Sequence, residues 1–153
     1  MNQGEIQVKF EIDQINPEDT YEIRYKVLRP NQSIESIKYE SDVFRNSFHL
    51  GAYVDTKLIS VASFLKERHS SFDEINQYRL NGMATLNEYR GKGAGSTLLI
   101  EGEKILKKRH ARLLWCNAKF PVSNYYTGFG LREHGEVFVI DSIGPHKLMY
   151  KKL

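Results

Sequence analysis

A mixed α/β fold, one mostly antiparallel sheet flanked by helices, is what this chain predicts. Three observations carry that reading. Apolar runs at His49–Val54 and Leu58–Leu65 are joined by the polar turn Asp55-Thr56-Lys57. From Gln77 to Cys116 an extended run, a glycine-rich turn, a long amphipathic stretch and a second apolar run follow one another. Two further extended runs, Val137–Ile140 and Lys147–Lys151, close the chain.

Each element has its own signal. Ile6-Gln7-Val8-Lys9-Phe10-Glu11-Ile12 alternates with period two and predicts a half-buried strand. Asn16-Pro17-Glu18-Asp19 opens a helix whose apolar positions are Ile23, Val27 and Leu28, and Pro30 stops it. Asn31 to Asn46 is mostly polar, carries Tyr39 and Phe44, and receives no element assignment. Lys66 to Asn76 reads as a polar loop. Gln77 to Thr85 reads as a strand with Tyr78, Leu80, Gly82 and Ala84 on one face, and Gly82 inside it marks a bulge or a close approach. The long helix runs from Gly93 to Arg109 with Leu98, Leu99, Ile105 and Leu106 as its apolar stripe; Gly102 in that stripe allows tight packing on a sheet. Arg112 to Cys116 predicts a buried strand that ends at Asn117, and a short helix is expected near Val122 to Thr127. No internal repeat or low-complexity tract interrupts the pattern, so residues 1–153 are read as one domain.

Composition narrows the class. A net charge of +3 is too small a surplus to imply nucleic-acid binding. The cluster Lys104, Lys107, Lys108, Arg109 and Arg112 sits where it complements the dipole of the long helix. A lone cysteine, Cys116, excludes an intrachain disulfide and a cysteine-rich metal site, and no histidine pair has metal-ligand spacing on a predicted helix. The first residues, Met1 to Glu5, do not read as a signal peptide, and no run has membrane-spanning length. The expectation is a soluble, cytoplasmic protein without metal, membrane or nucleic-acid partners.

The stretch Glu88-Tyr89-Arg90-Gly91-Lys92-Gly93-Ala94-Gly95-Ser96 is the most specific. Three alternating glycines beside Arg90 and Lys92, at the start of a helix, make an amide-lined turn for an anion. It is not a nucleoside-triphosphate loop, because no Gly-Lys-Ser or Gly-Lys-Thr follows. It half-matches the dinucleotide fingerprint through Gly91, Gly93 and Ser96, but the next strand ends in Asn117 rather than a carboxylate. The pattern Arg-x-x-Gly-x-Gly fits throughout, as Arg90, Gly93 and Gly95 after a strand and opening a helix. This resembles the acetyl-CoA motif of the GNAT N-acetyltransferase superfamily, and the element order is similar to the GNAT fold over essentially the whole chain. The tail, Gly135-Glu136-Val137-Phe138 with Ile143 to Met149, and the pair Asp42 and His49, are similar to the ElaA-like subgroup.

The resemblance implies a sheet whose two central strands splay to admit acetyl-CoA. Amides of Gly91, Lys92, Gly93, Ala94, Gly95 and Ser96 would take its diphosphate, with charge from Arg90 and Lys92. Backbone groups of Met83, Ala84 and Thr85 would pair with the pantetheine arm, and an N–H near Met83 would polarise the thioester carbonyl. Asn117 either bonds the pantetheine or forms a turn. In the family a tyrosine stands four residues ahead of a Gly-Phe pair; here Tyr126 stands four ahead of Gly130, with Leu131 in place of phenylalanine. That tyrosine is implied to protonate the departing thiolate, while Tyr125 packs. Cys116 lies in an apolar run and reads as an inert buried thiol. Candidates to receive the amine proton are His146, after Gly144-Pro145, and His49, with Asp42, Glu136 and Asp141 behind them. His69, His110 and His134 read as loop or surface residues.

The function implied is acetyl transfer from acetyl-CoA to an amine, on a small molecule or a protein, by direct attack on the thioester. A non-catalytic acyl-CoA-binding sensor or adaptor is the alternative, and an RNA-binding module ranks last because the aromatics fall on strand cores. Ser33 to Phe48 and Lys66 to Asn76 are expected to line the amine entrance, where Glu35, Glu40 and Asp42 either draw a cation or are simply solvated. A homodimer is common among such proteins.

Overall fold

The computed structural model describes residues 9–120 and 123–153. Seven strands form one sheet in the order β1-β2-β3-β4-β5-β7-β6. They are β1 Glu11–Ile15, β2 Phe48–Val54, β3 Lys57–Leu65, β4 Gln77–Thr85, β5 Leu113–Lys119, β6 Arg132–Ile140 and β7 Gly144–Lys152. The helices are α1 Pro17–Leu28, α2 Ala94–Lys108 and α3 Ser123–Thr127. Every neighbouring pair is antiparallel except β4 and β5. Among the described residues no helix is long and apolar enough to cross a membrane.

Local chemistry accounts for the element ends. Pro17 stands at the first position of α1, where its missing N–H costs nothing, and the Asp19 carboxylate accepts the Asn16 N–H at 3.0 Å. β2 and β3 are joined by Asp55 and Thr56, both at positive φ (49° and 74°), the backbone twist that closes a two-residue hairpin. α2 begins directly after Gly93, at φ 90°.

The sheet is covered on both faces. α2 lies over β2, β3 and β4 and buries Leu98, Leu99 and Leu106 with Phe48, Leu50, Phe64, Tyr78 and Leu80. Gly102 is required there, because a methyl group at that position would overlap the Phe64 ring. α1 lies on the opposite face, where Ile23, Val61 and Ala84 pack with Val27 and Leu28. Phe72, Leu113, Trp115 and Leu148 form a smaller cluster.

Three expectations are corrected, and one unassigned segment gains structure. The first strand is β1, later than the alternating run; Ile6, Gln7 and Val8 lie outside the described residues, and Lys9 and Phe10 precede the strand. The Asn31–Asn46 segment holds two short 3₁₀ turns, Ile34–Ile37 and Glu40–Val43, which bury Ile37, Ser41 and Asp42. β5 does not end at Asn117 but continues to Lys119, and Asn117 pairs opposite Leu148 of β7, so it forms no turn. Finally, Tyr78, Leu80 and Ala84 do not share a face. Val61 pairs with Ala84 and Ser63 with Asn81, so Ala62 alone opposes both Gly82 and Met83. This bulge, with Gly82 at φ 65°, turns the strand over: Met83 joins Tyr78 and Leu80 on the α2 face, and Ala84 faces α1. The short helix falls where expected; Val122 lies outside the described residues.

Candidate active site

The site grows out of the one parallel pairing. β4 and β5 are in register only from Gln77 to Arg79 against Leu113 to Trp115. Beyond that point β4 carries its bulge while β5 stays paired with β7, so the two strands part. The gap is a cavity of about 270 Å³ lined by Leu80, Asn81, Gly82, Met83, Cys116, Asn117, Tyr126 and His146 among others.

On the α2 side the gap adjoins a larger cavity of about 730 Å³. Its lining includes Met83, Ala84, Thr85, Arg90, Gly91, Gly93, Ala94, Gly95, Ser96, Tyr125 and Tyr126. Gly91 and Gly93 have φ of 75° and 90° with open space where a side chain would stand. No side chain caps the start of α2 and no acidic residue occupies its first turn, so its leading amides and the positive end of its dipole remain available to a ligand. Gly95 is needed for a different reason: a methyl group there would come 2.6 Å from Met83 Cε and 3.1 Å from the Tyr125 hydroxyl. Ser60 Oγ donates to the Ala84 carbonyl at 3.1 Å and lies 2.7 Å from Thr85 Oγ1, which pins the strand beside the cavity. Lys92 is exposed and outside the lining, whereas Arg90 lies within it.

On the other side the gap adjoins a polar cavity of about 620 Å³, with which it shares Arg29, Tyr39, Asn81, Asn117, Ile143 and His146. His146 therefore stands at the junction. Its Nδ1 lies 2.8 Å from the Gly144 carbonyl. A carbonyl only accepts, so Nδ1 carries the proton and Nε2 keeps a lone pair in the neutral ring. Tyr126, on α3, packs edge-on against Tyr125 with centroids 5.3 Å apart. Burial, then Cys116 and then Tyr125, push its phenol well above the usual range, so it stays protonated at neutral pH. Burial likewise pushes the Cys116 thiol up to about 12, which leaves it un-ionised and a poor nucleophile.

His49 and Asp42 lie elsewhere. Both belong to a buried network centred on Arg24, which is 0% exposed. Arg24 grips the Asp42 carboxylate with both terminal nitrogens at 2.7 and 2.8 Å, donates to the Ile37 carbonyl at 2.9 Å and to Ser63 Oγ at 2.7 Å, and stacks on Tyr39 at 4.1 Å. Ser63 Oγ lies 2.6 Å from His49 Nδ1, and His49 Nε2 lies 3.0 Å from the Asp42 carbonyl. Both ring nitrogens are thus occupied, and burial lowers the pKa of His49. The ring lines none of the three cavities. The network instead backs the bulge: a methyl group on Gly82 would lie 2.7 Å from Arg24 Nε and 3.0 Å from the Tyr39 ring. Asp42, held in this way, is not free to draw an amine. Glu136 is exposed and outside the cavities, while Asp141 and Glu40 line the polar one.

Sequence reasoning missed several residues of the lining. Lys119 borders both the gap and the α2-side cavity, and Arg29 and Arg79 border the polar one; Glu67, in the loop expected to line the entrance, borders it too. Lys119 lay beyond the expected strand end. Arg29 and Arg79 carried no motif; the one available signal was a charged residue within an apolar strand in the case of Arg79. Tyr125, assigned to packing, also brings its hydroxyl within 3.3 Å of Ser96 Oγ at the turn.

A parallel pair that parts beside a glycine turn and a bare helix start defines a class of fold, and the family comparison agrees. Residues 12–130 match the acetyltransferase (GNAT) family, to which this chain belongs. It is an acyltransferase of that family. In sequence it is similar to the uncharacterised N-acetyltransferase YitI of Bacillus subtilis, 48% identical over 143 residues, covering 94% of this chain and 96% of that one. Solved structures share the fold, among them the following two. Escherichia coli ElaA superposes with a TM-score of 0.73 at 18% identity, over 94% of this chain and 99% of that chain. The PaiA N-acetyltransferase of Thermoplasma acidophilum, solved with coenzyme A, superposes with a TM-score of 0.61 at 23% identity, over 95% of this chain and 99% of that chain.

Proposed function

We propose that this protein transfers an acetyl group from acetyl-CoA to an amine by direct attack on the thioester. The observation that carries the reading is the convergence on one cavity of the Gly91–Gly93 turn, the uncapped start of α2 and the bulged edge of β4. Gly91 and Gly93 keep side chains away from the turn, so phosphate oxygens can approach its backbone amides. A solved GNAT relative holding coenzyme A supports the same choice.

Acetyl-CoA supplies the acetyl group as a thioester. In this reading Gly91, Gly93, Ala94, Gly95 and Ser96 hold its diphosphate with Arg90, and Lys92 adds only long-range charge. Met83, Ala84 and Thr85 present backbone groups to the pantetheine, with Asn117 across the gap. An N–H at the bulge near Met83 polarises the carbonyl oxygen, since that of Gly82 is taken by Asn81 Oδ1 at 2.9 Å. His146 Nε2 accepts the amine proton from the polar side, and the nitrogen forms its bond to carbon as the carbon–sulfur bond breaks. Tyr126 gives its proton to the departing sulfur. His49 has no part in proton transfer and belongs to the scaffold behind the bulge.

The sensor alternative requires a closed acceptor side. The polar cavity beyond His146 is open, which favours the enzyme. Titration calorimetry with acetyl-CoA, followed by thiol release across an amine panel, tests the reading. We expect saturable binding and amine-dependent release of coenzyme A. Absence of binding at millimolar ligand would end the proposal.

A further inference from the structure

We propose that the acceptor is a small amine that also bears a carboxylate, and that Arg29 and Arg79 are the groups that hold that carboxylate. This rests on the acetyl-transfer reading above and names the class of its second substrate.

The argument starts from unmatched donors. Arg79 lies on β4 and stacks over Trp115 at 5.1 Å. Its one ion-pair contact is long, Nη1 to Glu67 Oε2 at 3.6 Å. That same oxygen already accepts the Ser41 hydroxyl at 2.8 Å. Arg79 Nε is buried and, among the described residues, has no hydrogen-bond partner, so it is out of a ligand's reach. The guanidinium meets the cavity through its terminal nitrogens, which Glu67 holds only at long range, so a carboxylate there would find free N–H donors. Arg29 follows the last turn of α1, and Nη1 donates to the Leu28 carbonyl at 2.8 Å. Among the described residues no carboxylate comes within ion-pair reach of it.

Placement then selects the ligand. Both guanidiniums line the polar cavity, and Arg29 also lines the gap where His146 stands. The junction carries the neutral groups Asn81, Asn117 and His146, with Arg29 at its edge. Glu67 is engaged by Ser41 and Arg79, while Glu40 and Asp141 are exposed at the rim. A diamine would meet two guanidiniums on the wall. A molecule with its amine at the junction and a carboxylate on the wall meets a proton acceptor at one end and two planar cations at the other, the geometry that arginine serves best.

The test uses matched pairs on the full chain: α-, β- and γ-amino acids, each against its primary amide and its decarboxylated amine. Coenzyme A affinity is measured first by calorimetry on the same sample. Ternary binding and acetylation are then measured with the coenzyme saturating. We expect at least one carboxylate-bearing member to bind roughly tenfold or more tightly than its partners. Arg29→Gln and Arg79→Gln, checked for unchanged melting, should raise the KM for that acceptor by a similar factor. Coenzyme A affinity should be unaltered in both. Partners that bind equally well, or a protein that binds coenzyme A but no carboxylate-bearing amine, overturn the proposal alone. Loss of coenzyme A binding itself strikes the acetyl-transfer reading, and this proposal falls with it.

Discussion

Tyr126 and His49 show how burial sorts a candidate acid and a candidate base that the sequence offered for one proton transfer. Both side chains titrate, and both stand among apolar or aromatic neighbours. Tyr126 is shifted upward by desolvation in a cavity it lines, which suits a group that must hold its proton until a thiolate appears. Replacing Tyr126 with phenylalanine should lower kcat by roughly 10²–10⁴ with acetyl-CoA affinity retained, and steady-state kinetics beside calorimetry check both halves. His49 is shifted downward by burial and saturated by Ser63 and the Asp42 carbonyl. A histidine whose folded pKa lies below its unfolded value is protonated first in the unfolded chain. Stability is therefore present above the unfolded value of about 6.5, and falls as pH drops from there to the lowered folded value. Urea unfolding at stepped pH should show that slope, and His49→Gln should remove it. The partner ion pair gives a larger effect. Asp42→Ala leaves Arg24 buried without its counter-charge and should cost about 3–5 kcal/mol by chemical unfolding, whereas the apolar double replacement Arg24→Met with Asp42→Leu should cost less.

At the scale of elements, periodicity was legible wherever one rule governed a whole segment. β4 was bounded to the residue by its alternation, and α2 to within one residue at each end by its apolar stripe and the glycine before it. The assignment of faces within β4 was not legible, because a single bulge reverses every side chain after it, and Gly82 signalled only that a bulge was possible. The end of β5 was misread for a related reason: Asn117 looks like a turn residue locally, yet pairing with β7, far along the chain, keeps it in the ladder. The β2–β3 hairpin carries a local conflict of its own. Thr56 is β-branched and sits at φ 74°, where glycine is favoured. Thr56→Gly creates an Asp-Gly turn and relieves that strain, offset in part by the freer unfolded chain. A net gain of up to about 1 kcal/mol, seen as a rise in Tm of roughly 1–4 °C, is the expected outcome of a calorimetric scan.

Across the whole molecule, the cavity that the proposal gives to the coenzyme was legible as a feature of the chain because its glycine turn is local. One nine-residue stretch supplies turn, charge and helix start. The polar cavity was legible only in part: Glu40, Glu67 and His146 fell among the candidates or the expected entrance segments, whereas Arg29 after α1 and Arg79 on β4 lie far apart in sequence and carry no motif. The same contrast yields a prediction about the molecule as a unit. The α2-side cavity draws on α1, β4, the glycine turn, α2, β5 and α3, and the sheet is weakest where β4 and β5 part. A ligand seated there bridges elements that few hydrogen bonds join, so its binding energy adds to the stability of the fold. At a concentration 100 times its Kd, acetyl-CoA should contribute about 2.7 kcal/mol, and for a chain of this length that corresponds to a Tm increase of roughly 5–10 °C. Gly93→Glu places a carboxylate in the cradle at a positive φ that disfavours any side chain. The Tm of that variant should not respond to acetyl-CoA. A variant that still melted higher with ligand, by the full increment, would show that the diphosphate is held somewhere other than the glycine turn.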